Sequence, residues 1–469
     1  MRKLYLGIEL GSTRIKAMAI DDNNSPTYSG AYTWASTYEN GIWTYDLKDV
    51  WTGLKTALSG IENRERIAAM GISGMMHGYL AFDKDWNLLA PFRTWQNTVT
   101  GQAAEKLTEL FGFHIPQRWS IAHLYQAVLN QEPHVSRIAH ITTLAGYVHH
   151  TLTGQNCIGI GEASGMFPID SKNKCYNRKM MEKFNARIAE QNLPWKLEEL
   201  LPAVLVAGES AGVLTEEGAR KLGGLLPAGI ALAPAEGDAG TGMTATNAVA
   251  PRTGNVSAGT SIFAMVVLEK MLSRVYPEID MVTTPSGKPV AMVHCNNCTS
   301  DMNGWVRMFQ DIFRTMGFDV DAGELYARLY RKSLEGEADC GGITVCNYQA
   351  GEPVTGFDEG RPLVVRNPGK PLNLANFIRA QLYSAMATLA AGMEILRKEH
   401  VAIDRMMGHG GLFKTSVVGQ KYMAAATNAP VWIMKTAGEG GPYGMALLAA
   451  FRMEGKGLPL EEFLEQRVF

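Results

Sequence analysis

The sequence of 469 residues lacks several features that mark whole classes of protein. It contains no GxxxxGKS or GxxxxGKT segment, which excludes the phosphate loop of the P-loop kinases. No stretch approaches the roughly 20 consecutive apolar residues that span a membrane. The net charge is only −2, and no basic stripe is present, so neither a nucleic acid nor a membrane is expected as a partner.

An export signal is also not apparent. The first apolar run, in MRKLYLGIELGSTRIK, is interrupted by Glu9, Arg14 and Lys16 and has no small-residue cleavage site. We therefore expect a cytoplasmic protein with reduced thiols.

Cysteine is scarce, with six residues in the chain. Cys295 and Cys298 have a spacing found in metal sites, but Cys340 and Cys346 do not supply a second CxxC pair. A closed zinc site needs four ligands, so buried or incidental thiols are favoured over a metal.

One glycine-rich segment imitates a dinucleotide motif. GIGEASG, residues 159–165, has Ser164 in the place of the third glycine. No long strand precedes it with an acidic residue about 20 positions further on, so a dinucleotide site is not expected here.

The length exceeds what one hydrophobic core usually organises, which indicates two domains. A turn-rich change between Thr246 and Gly254 marks the boundary. We predict an N-terminal domain over residues 1–248 and a C-terminal domain over residues 249–469.

Aliphatic strands alternate with amphipathic helices along the chain, which predicts layered α/β structure. The segment after Asp46 has its apolar residues on one helical face, with Asp46 as the N-cap. The longest helical pattern begins after Pro371 and carries an apolar stripe at Leu382, Met386, Leu389, Met393 and Leu396.

The same strand–turn–strand pattern occurs once in each predicted domain. The first turn has Gly11, Ser12 and Thr13 between two aliphatic strands, and the second has Gly259, Thr260 and Ser261. Turns of this kind offer backbone N–H groups and hydroxyls to phosphate, although either could be a plain β-hairpin. Glu9, just before the first turn, is a candidate ligand for magnesium.

Three further segments carry candidate site residues. Asp238 lies among glycines and alanines, where a carboxylate can approach a ligand and accept a proton, or cap the helix that follows. His77 follows Met76 at the end of an aliphatic strand, and a buried structural histidine is the alternative. Gly408, Gly410 and Gly411 follow another strand and permit close approach of a base or ribose.

Taken together, these segments resemble the FGGY family of carbohydrate kinases over nearly the whole chain. GIELGSTRIKAM and GNVSAGTSIF resemble its two phosphate motifs, GISGMMHGYLAFD and PFRTWQNT its sugar motifs, EGDAGTG its catalytic aspartate motif, and GHGGLFKTSVVGQKYMA its adenosine motif. The sequences of these motifs are most similar to those of ribulokinase-type members of the family, and next most similar to those of xylulokinases. The family usually has aspartate where this chain has Glu9.

The resemblance implies an α/β fold of two actin-like (ribonuclease H-like) lobes, with a nucleotide and sugar cleft between them. ATP and Mg2+ are the implied cofactors. Asp238 would act as the base, and Glu9 and Asp238 would hold the metal. Met76, His77, Trp95 and Asn97 would form the sugar site with Asp238. Members of this family commonly form homodimers, so the resemblance also allows a homodimer.

The expected reaction is ATP-dependent phosphorylation of the terminal hydroxyl of a ketopentose, with L-ribulose as the first candidate. D-Xylulose is the alternative sugar. An actin-like ATPase with no sugar substrate is the alternative of another class.

Overall fold

A computed structural model describes residues 3–415, 417–434 and 439–468 of the chain. The contacts divide the protein into two compact units. Unit 1 comprises residues 1–250, 281–290 and 439–469, and unit 2 comprises residues 251–280 and 291–438.

The elements of residues 3–250 alternate between strands and helices, as the periodicity predicts. The strands are β1 (Leu4–Leu10), β2 (Arg14–Asp21), β3 (Pro26–Thr33), β4 (Thr37–Glu39), β5 (Ile42–Thr44), β6 (Ile67–Gly74), β7 (Leu80–Phe82), β8 (His140–Thr142), β9 (Cys157–Gly159), β10 (Ile169–Asp170), β11 (Cys175–Tyr176), β12 (Ala203–Leu205), β13 (Ala231–Leu232) and β14 (Glu236–Gly237). The helices are α1 (Leu47–Ser59), α2 (Gly101–Phe111), α3 (Ser120–Leu129), α4 (Leu144–Thr153), α5 (Ile160–Ala163), α6 (Arg178–Ile188), α7 (Leu197–Leu200), α8 (Glu216–Lys221) and α9 (Asp238–Ala245).

The remaining described residues continue the alternation. Their strands are β15 (Thr253–Ala258), β16 (Ile262–Val267), β17 (Asp280–Thr283), β18 (Pro289–Cys295), β19 (Ile343–Cys346), β20 (Leu363–Arg366), β21 (Arg405–His409) and β22 (Val431–Trp432). Their helices are α10 (Ser300–Thr315), α11 (Ala322–Ser333), α12 (Leu374–Lys398), α13 (Val418–Thr427), α14 (Gly440–Glu454) and α15 (Leu460–Glu465). Within the described ranges, no helix is both long enough and apolar enough to cross a membrane.

The central sheet of unit 1 has the strand order β13-β6-β1-β2-β3, and β14 also pairs with β6. β1 and β2 form an antiparallel hairpin, whereas β6 runs parallel to β1. β13 and β14 are parallel to β6 in turn. The carboxyl ends of β1, β6 and β14 therefore lie at one edge of the sheet, which is where open α/β sheets commonly bind ligands.

Unit 2 repeats this pattern. Four of its strands lie side by side in the order β16-β15-β21-β22. β15 and β16 form an antiparallel hairpin, and β21 runs parallel to β15. The two predicted strand–turn–strand motifs are therefore both hairpins at the centre of a sheet.

The predicted helices form where the apolar stripes lie. Asp46 is the N-cap of α1 and accepts a hydrogen bond from the Lys48 N–H. All five residues of the predicted stripe of α12 are buried, with Leu382 and Leu389 fully inaccessible. The burial of these side chains against their sheets supplies most of the stability of such helices.

The division into units differs from the predicted boundary in its C-terminal part. The predicted second domain includes segment 439–469, but α14 packs on β1, β6 and α9 within unit 1. The approach is close because a Cβ atom at Gly7 would overlap the carbonyl of Pro442, and one at Gly444 would overlap that of Thr241. Segment 281–290 also belongs to unit 1. Residues 3–248 all lie in unit 1.

Candidate active site

The turn of the first hairpin is held by aromatic residues. The Trp34 indole N–H donates to the Gly11 carbonyl and the Tyr45 hydroxyl donates to the Ser12 carbonyl, each at 2.7 Å. The Trp34 backbone N–H donates to the Thr13 carbonyl at 3.1 Å. All three predicted phosphate-binding residues of this turn therefore have anchored carbonyl groups, which restricts the shape of the turn.

Glu9 lies at the carboxyl end of β1, where its side chain is 12% exposed. Its Oε2 atom is 3.2 Å from the Lys16 Nζ across the hairpin. Its Oε1 atom faces Gly441, in the first turn of α14, where a Cβ atom would overlap it.

Asp238 is the first residue of α9 and follows directly on β14. Its Oδ1 atom accepts hydrogen bonds from the Ala239 N–H at 2.9 Å and from the Met76 N–H at 3.2 Å. The second bond joins residues 162 positions apart and brings Asp238 beside the predicted sugar motif. The N-cap of α9 is Gly237, with no side-chain capping bond, so the interpretation of Asp238 as the cap of this helix is wrong. Its role as a proton acceptor stays a prediction.

The pKa of Asp238 is raised to about 6. Desolvation by the surrounding protein is the largest cause, and the negative charge of Glu9 is the second. Backbone N–H groups, including those of Met76 and Ala239, act in the opposite direction. The side chain is nevertheless exposed to solvent, so water screens part of the effect.

Met76 and His77 follow β6 and are 6% and 5% exposed. His77 has a φ of 73°, in the left-handed region that non-glycine residues rarely adopt. Its Nδ1 atom is 3.2 Å from the Gly165 carbonyl, and its ring stacks on Trp119 with 6.3 Å between centroids. This strained backbone, held by specific contacts, is typical of a functional position.

The other two predicted sugar-site residues differ in their exposure and in their contacts. Trp95 is 37% exposed and has apolar surface available for a ligand. Asn97 is 3% exposed, and its amide bonds the backbone N–H and C=O of Trp43, each at 2.8 Å. In the structure Asn97 holds β5 to the segment 94–97, and its predicted contact with sugar stays a prediction.

Two buried glutamates near Asp238 were missed by the sequence analysis. Glu236 accepts hydrogen bonds from the N–H groups of Gly161 at 3.3 Å and Glu162 at 3.0 Å, and burial raises its pKa to about 8. Glu162 is completely buried, and burial raises the pKa of its carboxyl group well above the ordinary range. The Thr143 hydroxyl opposes that rise. The signal available for Glu236 was its position two residues before Asp238, in EGD.

The turn of the second hairpin is held by the start of α10. The N–H and hydroxyl of Thr299 both donate to the Gly259 carbonyl, at 3.1 and 2.7 Å. The Ser300 hydroxyl donates to the Thr260 carbonyl at 2.9 Å, and the Gly259 N–H donates to the Ser261 carbonyl. The three predicted phosphate-binding residues of unit 2 thus form one ordered turn.

The predicted adenosine motif also lies in unit 2. Gly408 is in β21 and packs against the Phe413 ring, and Gly410 has a φ of 101°. A Cβ atom at Gly410 would lie 2.5 Å from the Ala258 carbonyl oxygen, directly before the second hairpin turn, whereas one at Gly411 would meet nothing within 4 Å. The structure therefore joins the second phosphate motif and the adenosine motif.

Cys295 and Cys298 are buried free thiols. Burial raises the pKa of both, that of Cys298 to about 12. Among the described residues, no group of three or more His, Cys, Asp or Glu side chains could hold a metal ion.

Both halves of the chain match models of one protein family. Residues 4–244 match the N-terminal domain of the FGGY family of carbohydrate kinases, and residues 254–453 match its C-terminal domain. The chain belongs to the FGGY family. It is accordingly an ATP-dependent carbohydrate kinase, which confirms the resemblance and sets aside an actin-like ATPase without a sugar substrate.

Two relatives of this FGGY kinase are distant from it in sequence. The chain is 23% identical over 439 residues to a protein named xylulose kinase from Haemophilus influenzae, covering 88% of this chain and 84% of that protein. It is 24% identical over 293 residues to a protein named glycerol kinase from Thermococcus kodakarensis, covering 58% of this chain and 55% of that protein.

Solved structures confirm the fold of this FGGY kinase. A gluconate kinase from Lactobacillus acidophilus superposes with a TM-score of 0.83 at 18% identity, covering 100% of this chain and 92% of that one. A xylulose kinase from Bifidobacterium adolescentis superposes with a TM-score of 0.78 at 16% identity, covering 99% of each chain. The predicted α/β fold of the actin-like type, with two units, is confirmed; the predicted cleft and the homodimer stay predictions.

Proposed function

We propose that this FGGY kinase transfers the γ-phosphoryl group of ATP to the terminal hydroxyl of a ketopentose, with Asp238 as the base. The observation that carries the proposal is the hydrogen bond between the Met76 N–H and the Asp238 carboxylate. It places a carboxylate of raised pKa beside the strained His77 segment that resembles the sugar motif of the family. A base near neutrality and a polyol-binding wall are what the reaction needs.

In the proposed reaction, Asp238 accepts the proton of the sugar's terminal hydroxyl. The hydroxyl oxygen then forms a bond to the γ-phosphorus as the bond from that phosphorus to the β–γ bridging oxygen breaks. The products are the sugar phosphate and ADP, and the proton remains on the carboxyl group until solvent removes it. Little covalent chemistry falls to the protein, so positioning and charge carry the catalysis.

Met76 and His77 are the proposed wall of the sugar site, with Trp95 supplying further apolar surface. The Met76 side chain would pack on the carbon skeleton. His77 would donate or accept hydrogen bonds through its imidazole or its backbone, since the Gly165 carbonyl fixes the orientation of the ring. Hydroxyl contacts of this kind set sugar specificity because each unpaired polar group costs about 1–3 kcal/mol.

The phosphate groups of ATP are the proposed ligands of the two hairpin turns, Gly11–Thr13 and Gly259–Ser261. Gly408, Gly410 and Gly411 are the proposed contacts of the adenosine. Glu9 and Asp238 interact electrostatically and present carboxylate oxygens, which fits Mg2+ bound by two carboxylates, water and phosphate. When bound, Mg2+ supplies positive charge to the transferring phosphoryl group.

Two ketopentoses remain as candidate substrates. The sequences of the motifs favour L-ribulose, and the name of the Haemophilus influenzae relative favours D-xylulose. The family assignment by itself is compatible with both sugars.

The test is an ADP-coupled assay over L-ribulose, D-ribulose, D-xylulose, L-xylulose, L-fuculose, glycerol and gluconate. We expect turnover with L-ribulose or D-xylulose, and we expect Asp238→Asn to lower kcat by at least about a hundredfold. His77→Ala should raise KM for the ketose and leave that for ATP unchanged. Preference for glycerol or gluconate would contradict the ketopentose assignment, and full activity of Asp238→Asn would contradict the role of the base.

A further inference from the structure

The mechanism leaves unused a buried glutamate, Glu236, that lies two residues before Asp238. It is 1% exposed, and its carboxyl group contacts the start of α5, a segment 74 and 75 residues earlier in the chain. Its Oε1 atom accepts from the Gly161 N–H and its Oε2 atom from the Glu162 N–H. One side chain therefore satisfies two N–H groups that the helix itself leaves unpaired.

Glycines make the space for this carboxyl group. A Cβ atom at Gly159 or Gly161 would overlap the Glu236 carboxyl, and one at Gly240 would lie 3.2 Å from its Oε2 atom. Two of these glycines belong to GIGEASG, the segment that imitates a dinucleotide motif. The glycine spacing there is explained by the packing of Glu236.

The segment that Glu236 holds also contacts the predicted sugar motif. Gly165 lies at its end and presents its carbonyl to His77 Nδ1 at 3.2 Å. The Ser164 hydroxyl accepts from the Thr283 N–H at 3.1 Å, which fixes the segment from its other side. Glu236 is thus hydrogen-bonded to segment 159–165, which contacts His77, and it is joined along the chain through Gly237 to Asp238.

We propose that Glu236 is a positioning residue that braces segment 159–165 against β14 and α9, and thereby holds Asp238 and His77 in the relation that phosphoryl transfer requires. The proposal deepens the proposed function and rests on it for the roles of Asp238 and His77. The brace acts by geometry, because Glu236 is buried and its carboxyl group accepts hydrogen bonds from the backbone of α5. Small displacements of a base lower kcat steeply, by up to about a hundredfold for 1 Å.

The variants are Glu236→Ala, which removes both acceptors, and Glu236→Gln, which keeps the shape and one acceptor. Glu209→Ala is the matched control, because Glu209 is also in unit 1 and accepts a backbone N–H, that of Val206, at 2.8 Å on the surface. Amide hydrogen exchange is followed in peptides covering 159–166 and 236–245. Steady-state kinetics use whichever sugar of the panel the wild-type protein phosphorylates.

We expect Glu236→Ala to accelerate exchange in both peptides and to lower kcat by at least about tenfold, with the KM for ATP within about twofold of wild type. Glu236→Gln should lie between it and wild type, which also covers an alanine variant that does not fold. Glu209→Ala should change neither the two peptides nor kcat.

Unchanged exchange in the Glu236→Gln and Glu236→Ala proteins would overturn the brace. Faster exchange with unchanged kcat would overturn its positioning role. If wild type phosphorylates only a sugar that is not a ketopentose, the proposed substrate class fails, while the same two readouts on that sugar still decide the role of Glu236.

Discussion

The two hairpins of this kinase have the same turn chemistry but different neighbours. In unit 1 the carbonyls of the turn are held by Trp34 and Tyr45, from segments that follow the hairpin. In unit 2 they are held by Thr299 and Ser300, at the start of α10. Aromatic side chains in unit 1 and the start of a helix in unit 2 thus anchor corresponding carbonyl groups of the two turns.

The hairpins also differ in charge. Two positions before the glycine of the turn, unit 1 has Glu9 and unit 2 has Ser257. The carboxylate of Glu9 raises the pKa of Asp238, which belongs to the same unit. In the proposed function this difference corresponds to a division of labour, in which unit 1 carries the proposed acid–base groups and both units carry proposed phosphate-binding turns.

The largest expected effect tests that difference in charge. Glu9→Gln should lower kcat by about a hundredfold, since a neutral amide stabilises bound Mg2+ and the transition state poorly. Ser257→Ala, at the matching position of unit 2, should lower kcat by less than about threefold. Glu9→Asp, which installs the residue that the family usually has, should retain activity. The measurement is turnover across a Mg2+ titration, and equal losses for Glu9→Gln and Ser257→Ala would contradict the division of labour.

The pH dependence should come from unit 1 alone. Asp238 must be ionised to accept a proton, and its pKa is raised to about 6, so activity is lost as the pH falls through that value. We expect kcat/KM for the sugar to fall by about fivefold between pH 6 and pH 5. Burial lowers the pKa of His409, in the adenosine motif of unit 2, to about 4, so this residue stays neutral over that range.

Steady-state kinetics between pH 5 and pH 8 provide the check. Glu9→Gln should move the midpoint of the profile downward, because the charge of Glu9 raises the pKa of Asp238. A profile that is flat to pH 5 would remove Asp238 from the role of the base.

Neighbouring glycines in unit 2 allow a matched test of backbone geometry. Gly410→Ala should lower the free energy of unfolding by about 1–3 kcal/mol, because φ at this position is 101° and the added Cβ would approach the Ala258 carbonyl. Gly411→Ala should change it by less than about 0.5 kcal/mol, since its Cβ meets nothing within 4 Å. Urea denaturation measures the free energy of unfolding of the two variants. Equal values would contradict the predicted strain at Gly410.

The smallest expected effect compares the two turns directly. Tyr45→Phe and Thr299→Val each remove one hydroxyl that donates to a turn carbonyl at 2.7 Å. The loss of such a bond costs about 1 kcal/mol, so KM for ATP should rise by up to about fivefold in each variant. A rise in only one of them would show that the two turns do not bind ATP equally.

Much of the fold could be predicted because its signals are local. The aliphatic runs around Gly11 and Gly259, the N-cap at Asp46 and the stripe from Leu382 to Leu396 lie within single elements. Asp238 could be found from its glycine-rich surroundings at the start of a helix. The packing of residues 439–469 within unit 1 could not be predicted from the sequence. It depends on close contacts of Gly7 and Gly444 with distant backbone, and such contacts leave no periodic pattern.

The sequence by itself determined the family, the α/β alternation, the two hairpins and the carboxylate that is the best candidate for the base. Turn chemistry and hydrophobic periodicity are short-range properties, and they are visible in the order of residues. Only the tertiary structure decided that the Met76 N–H donates a hydrogen bond to Asp238 and that N–H groups at the start of α5 donate to Glu236. Those hydrogen bonds join residues 74 to 162 positions apart. They form because packing excludes water from these polar groups, and buried polar groups then form hydrogen bonds with each other.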